Sequence, residues 1–89
     1  MGRRKREEPK RLMWKLREIR LRLGLSQEAM YQALKAQGTS IHAGYVSLYE
    51  IGERTPSLLI VLAYAKAAGI STDLLIDDGS ELPDKLPFR

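Results

Sequence analysis

The sequence predicts an all-α fold of five short helices, and three observations carry that reading. Apolar residues recur three and four positions apart, the spacing that lines up one helical face. Single glycines separate those stretches, and glycine ends helices because it takes the left-handed conformation at little cost. No stretch alternates apolar and polar residues as a half-buried strand does. With 89 residues, 44% of them hydrophobic, the chain can build one small core.

Arg3-Arg4-Lys5-Arg6 followed by Glu7-Glu8-Pro9 predicts a basic flexible arm over residues 1–9. A first helix starts near Lys10, with Leu12, Leu16, Ile19 and Leu23 on one face and Gly24 as its stop. Ser26 is placed to cap a second helix through about Gln37, where Met30, Ala33 and Leu34 form the inner face. Gly38-Thr39-Ser40 is a break. A third helix is expected from about His42 to Ile51, with Val46 and Tyr49 inward and Gly52 ending it. Thr55-Pro56-Ser57 leads into a fourth helix, Leu58 to Ala68, whose expected core stripe is Leu58, Val61, Ala65 and Ala68. Ser71 is expected to cap a short fifth helix around Asp73 to Ile76. These elements give a domain over residues 10–78 and an irregular tail over 79–89.

Composition removes several function classes. Without cysteine, the chain has no disulfide, thiolate metal site or cysteine nucleophile, and a reducing compartment fits. The single histidine, His42, has no acid close in sequence to orient it. Asp77 and Asp78 are neighbours that point apart on a helix and read as a solvated helix end. No glycine-rich phosphate loop is present. Catalysis is therefore not expected, and no metal or cofactor is implied. No apolar run reaches the roughly 20 residues that span a bilayer, and the N-terminus is charged where a signal peptide is apolar. The expectation is a cytoplasmic protein without a membrane segment. Charge is uneven: residues 1–22 carry +7 and residues 23–89 carry −3. A basic end of this kind suits a polyanion such as nucleic acid or an acidic membrane face, or else serves as a solubilising tail.

Three pieces stand in order along the chain: Leu23-Gly24-Leu25-Ser26-Gln27-Glu28, the run from Val46 to Leu58, and Ala65-Lys66-Ala67-Ala68-Gly69-Ile70-Ser71. Together they resemble the Cro/C1-type, XRE-like family of helix-turn-helix regulators over about residues 12–76. The resemblance implies a lambda-repressor-like five-helix domain whose third helix lies in the major groove of double-stranded DNA. It also implies roles by position. Gln27, beside Ser26, matches a glutamine that braces a phosphate. Ala43, Gly44, Ser47 and Leu48 match groove-facing positions, flanked by His42 and Tyr45. Arg54 and Thr55 match a loop that touches the DNA backbone. Arg20 and Glu50 match a charged pair that ties helix one to the end of helix three. Two departures stand out. Leu34 and Val46 are 12 positions apart, a longer step than the family pattern takes, so helix two, the turn, or both are lengthened. Tyr31 stands where the family prefers alanine.

Leu59, Ile60, Ala63 and Ala67 are expected on the back of helix four, where an apolar surface meets another chain. Trp14 and Leu21 lie roughly opposite the stripe of helix one, where they cover the tail or the arm or meet a partner. The reading is a homodimeric, sequence-specific transcriptional regulator, a repressor where its site overlaps a promoter, with Arg3, Arg4, Lys5 and Arg6 adding phosphate contacts. Its rival is a protein-interaction module, such as the antitoxin of a toxin–antitoxin pair or a bridging coactivator.

Overall fold

A computed structural model describes residues 8–87; the arm residues Arg3, Arg4, Lys5 and Arg6 lie outside them. Five helices follow in order: α1 Leu12–Arg22, α2 Gln27–Ala36, α3 Tyr45–Glu50, α4 Leu58–Ala68 and α5 Asp73–Ile76. No strand forms among the described residues. α1 packs against α3, α4 and α5, while α2 packs against α3 and α4. Leu16, Ile19, Met30, Leu34, Val46, Tyr64, Ala68 and Leu75 are fully buried where these helices meet.

Local chemistry sets the boundaries. The Ser26 hydroxyl accepts from the Ala29 amide at 3.0 Å and opens α2. Ser57 does the same for α4 through the Ile60 amide at 3.4 Å. Gly69 closes α4 at φ 73°, where any other residue would be strained. The expected Ser71 cap is displaced: Thr72 holds the cap position of α5, although the Ser71 hydroxyl accepts from the Asp73 amide at 3.2 Å.

Two elements differ from the sequence expectation. α3 begins at Tyr45 rather than His42, because Gly44, in its cap position, has no side chain to hold the helix start. All the extra length between Leu34 and Val46 lies in the turn. α2 stops at Ala36, and residues 37–44 form a non-helical connection held by the Thr39 hydroxyl, which donates to the Leu34 carbonyl at 2.8 Å.

Val61, Ala65 and Ala68 of the expected α4 stripe are buried, but the buried face extends past them and leaves Leu58 out. Ile60 and Ala63 are 6% and 3% exposed and belong to the core, and Ala67 is half-buried against it. Leu58, expected inside, is 80% exposed, and Leu59 is 72% exposed. In a helix this uniformly apolar, periodicity gives no phase; α1 and α2 close over one side and leave Leu58, Leu59 and Leu62 outside.

The segment after α5 is irregular but packed, so the folded unit passes the boundary expected at residue 78. Leu82 is buried in the core. The fully buried Lys15 ammonium donates to the carbonyls of Leu74, Asp77 and Ser80 at 2.7, 2.9 and 2.9 Å. Arg22 donates to the Pro83 carbonyl. Asp78 accepts from the backbone amides of Lys10 and Arg11 at 2.9 and 3.0 Å. Asp78 thus anchors the start of α1, while the Asp77 carboxylate accepts from the Gly79 amide and the Ser80 hydroxyl in its own turn.

Candidate nucleic-acid interface

The exposed side of α3 is built from the turn before it, its first turn and the loop after it. His42, Ala43 and Gly44 stand exposed just ahead of the helix, while Tyr45, Ser47 and Leu48 are half-buried on it. Tyr45 is the centre of this surface. Its ring meets His42 edge-on at 5.0 Å and Tyr49 at 6.1 Å. The Arg54 guanidinium lies 4.0 Å from the ring centroid and donates to the Tyr45 hydroxyl at 2.8 Å. A cation over an aromatic face is attracted by the ring quadrupole, so Arg54 is held against α3 while keeping further N–H donors free. Ser47 turns its hydroxyl back to the Gly44 carbonyl at 3.0 Å.

Behind this surface lies a buried polar network. Glu50 accepts from Arg20 Nε at 2.6 Å and from Arg20 Nη2 at 3.1 Å. The two side chains are only 3% and 12% exposed. Arg20 Nη1 donates to the Leu25 carbonyl at 3.0 Å, and Gln27 Nε2 donates to Glu50 at 3.2 Å. One carboxylate at the end of α3 therefore fixes α1, the α1–α2 turn and the start of α2 together. The hydrogen bond to Glu50 is the main cause raising the Arg20 pKa. Close by, the Tyr64 hydroxyl is buried with no partner among the described residues; burial, followed by the charge of Glu50, pushes its pKa up.

Ser26, Gln27 and Arg54 keep donors available, whereas the Thr55 hydroxyl proton is engaged by Glu8. Gln27 spends one amide hydrogen on Glu50 and keeps the other. The Ser26 hydroxyl accepts from α2 and keeps its proton to donate. Arg54 and Thr55 follow in the α3–α4 loop, both exposed, where the Thr55 hydroxyl donates to Glu8 at 3.2 Å. Tyr31 is half-buried against the core with the Lys35 ammonium 5.4 Å from its ring, which fits the larger side chain into the α2 surface. An open cleft of about 890 Å³ separates the lengthened connection from α4. Among the described residues, no group of three or more histidines and carboxylates is arranged to hold a metal. No helix there is long and apolar enough to cross a membrane.

A family model described as Helix-turn-helix, HTH_3, matches residues 16–75, from the middle of α1 to α5. The chain belongs to the Cro/C1-type helix-turn-helix family. That family is one of DNA-binding regulators, and the five-helix arrangement is the lambda-repressor-like fold. No curated protein and no solved structure gave a significant match. The Cro/C1 match takes in α2, the long connection and α3, but stops short of both Lys10–Lys15 and Asp77–Glu81. Sequence reasoning missed Lys15 and Asp78. Lys15 was visible in principle, because it sits on the same stripe as Leu12, Leu16 and Ile19. Asp78 gave no local signal, since its partners are 67 and 68 positions away.

Proposed function

We propose that the chain is a homodimeric, sequence-specific transcriptional repressor that acts on double-stranded DNA in the cytoplasm. The observation that carries this reading is the Tyr45–Arg54 pair, an aromatic side chain and a cation fixed together on the exposed side of α3. In this reading α3 enters the major groove with Tyr45, Ser47 and Leu48, and His42, Ala43 and Gly44 approach the base edges from the preceding turn. Ser26, Gln27 and Arg54 hold phosphates, as do Arg3, Arg4, Lys5 and Arg6 of the arm, and Thr55 joins them once its hydroxyl leaves Glu8. Repression follows where the bound site overlaps a promoter. The homodimer forms through the outer side of α4, at Leu58, Leu59 and Leu62 in place of the buried Ile60 and Ala63.

The exposure of those leucines also favours a second reading, a protein partner such as a toxin or a component bridged to the transcription machinery. Titration of a random duplex at several salt concentrations, with and without excess competitor, separates the two. A DNA-binding regulator binds with log K falling linearly in log salt. No binding to duplex at about 50 mM salt would favour the protein-partner reading instead.

A further inference from the structure

The hydroxyl of Thr55 is already held by an anion of the chain itself. It donates to a Glu8 carboxylate oxygen at 3.2 Å, across a cleft of about 100 Å³ that Pro9, Met13 and Gly52 also border. Both sides of that cleft are fixed. On one side the α3–α4 loop folds back on α3. The Gly52 amide donates to the Tyr49 carbonyl at 3.2 Å, and the Glu53 and Arg54 amides donate to the Leu48 carbonyl at 3.0 and 3.3 Å. Gly52 stands at φ 79°, and a Cβ there would lie 2.5 Å from the Met13 sulfur, so glycine permits the close approach of α1. On the other side, Asp78 holds the Lys10 and Arg11 amides at 2.9 and 3.0 Å. Pro9 links them to Glu8, and a proline ring both fixes its own φ and favours an extended residue before it.

Thr55 is one of the residues read above as a phosphate contact, and a hydroxyl has one proton to give. A DNA phosphate oxygen and the Glu8 carboxylate are both anionic acceptors, so they compete for that proton and repel each other. We propose that Glu8 is a built-in competitor for DNA phosphate: its carboxylate takes the phosphate's place at Thr55, and a duplex engages this part of the α3–α4 loop only by displacing it. The inference rests on the reading above and adds to it an acid of the same chain that restrains one of its phosphate contacts. Phosphate contacts carry no sequence information, so the competition lowers affinity for all sequences alike and leaves the preferred site unchanged. Glu8 precedes the stretch matched by the family, residues 16–75.

A double-mutant cycle on the full-length protein tests it, by titration of a random duplex at about 100 mM salt. The proteins are wild type, Glu8→Ala, Thr55→Val and the combination. Glu53→Ala, with and without Thr55→Val, is the control, because it removes an exposed acid two residues from Thr55 in the same loop. Folding is checked by circular dichroism, and Thr55→Ala stands in if Thr55→Val does not fold. Glu8→Ala is expected to tighten binding about fivefold, the size of one like-charge contact at about 4 Å in water, and by less than about twofold once Thr55 is Val. Glu53→Ala is expected to give the same gain in both backgrounds, as a charge acting through the field of the duplex does. Unchanged or weaker binding by Glu8→Ala would overturn the proposal. So would an equal gain from Glu8→Ala with and without the Thr55 hydroxyl, since Glu8 would then act only as a nearby charge. A Glu53→Ala gain that also vanishes in Thr55→Val would overturn it as well, because the loop's general response would then be the cause. A wild type that binds duplex leaves the reading above standing in each of these cases. No binding by wild type or by Glu8→Ala removes that reading and the proposal together.

Discussion

Glu50 carries a large share of the molecule's order for a single side chain. Its carboxylate holds three side-chain donors from α1 and α2 while being 3% exposed. Burying a charge is costly, and the cost is met here by a two-bond contact with Arg20 plus the Gln27 amide. Glu50→Gln leaves the Arg20 guanidinium without a counter-charge and should destabilise the fold by about 3–5 kcal/mol. For a domain of this size that is a fall in melting temperature of more than about 10 °C. A melt within a degree or two of wild type would show that the network is peripheral. The pair was legible only through the family resemblance, since Arg20 and Glu50 are 30 positions apart. Lys15 shows the opposite case. It lies on the core stripe in plain sight, but a lysine there reads as solvated until the carbonyls that receive its protons are placed.

At the scale of elements, helix bounds were most legible where a capping serine or a closing glycine marks them. α2 has Ser26 and the stripe of Met30 and Leu34; α4 has Ser57 and Gly69. α3 has neither a capping side chain nor length, and its start moved three residues. The phase of α4 could have been set by its single charged residue, because Lys66 falls in line with Leu62 and Leu59 on the outer side. The clasp that Asp78 makes with the Lys10 and Arg11 amides at the start of α1 was not legible, because it joins segments far apart in sequence. It makes a pH prediction. Asp78 is held below the usual carboxylate range by the Lys10 and Arg11 amides, Asp77 chiefly by the Gly79 amide, and Glu81 chiefly by Arg11. A carboxyl group with a lower pKa folded than unfolded adds stability above its unfolded value, and that addition is lost as pH falls through its folded value. Stability from the clasp should therefore be complete above about pH 5 and decline below about pH 4. Denaturant melts from pH 7 to pH 2 check this: Asp78→Ala should lose less stability on acidification than wild type. Parallel curves for the two proteins would show that Asp78 does not contribute through its charge.

At the scale of the molecule, the exposed leucines of α4 bear on the proposed homodimer. Leu58, Leu59 and Leu62 are 80%, 72% and 38% exposed on one helix. Leu59→Glu should give monomers by sedimentation with an unchanged fold, whereas Ile60→Glu would place a charge in the core and unfold the chain. An unchanged mass for Leu59→Glu, or a wild type that is monomeric at high concentration, would remove the homodimer. In the proposed reading, specificity has few sources on this surface. Ala43, Gly44 and Leu48 have no side-chain hydrogen bonds to give, so Tyr45, His42, Ser47 and DNA shape must supply it.

Whether α3 and its flanks read duplex DNA is decided by selecting binding sites from a random pool with wild type and with Tyr45→Ala. The expected result for wild type is a palindromic, A·T-containing site with half-sites about 34 Å apart, bound about 10³ tighter than random DNA. Tyr45→Ala should lower that ratio while leaving non-specific affinity nearly unchanged. No enriched sequence for wild type, or the same site enriched equally by Tyr45→Ala, would contradict the account.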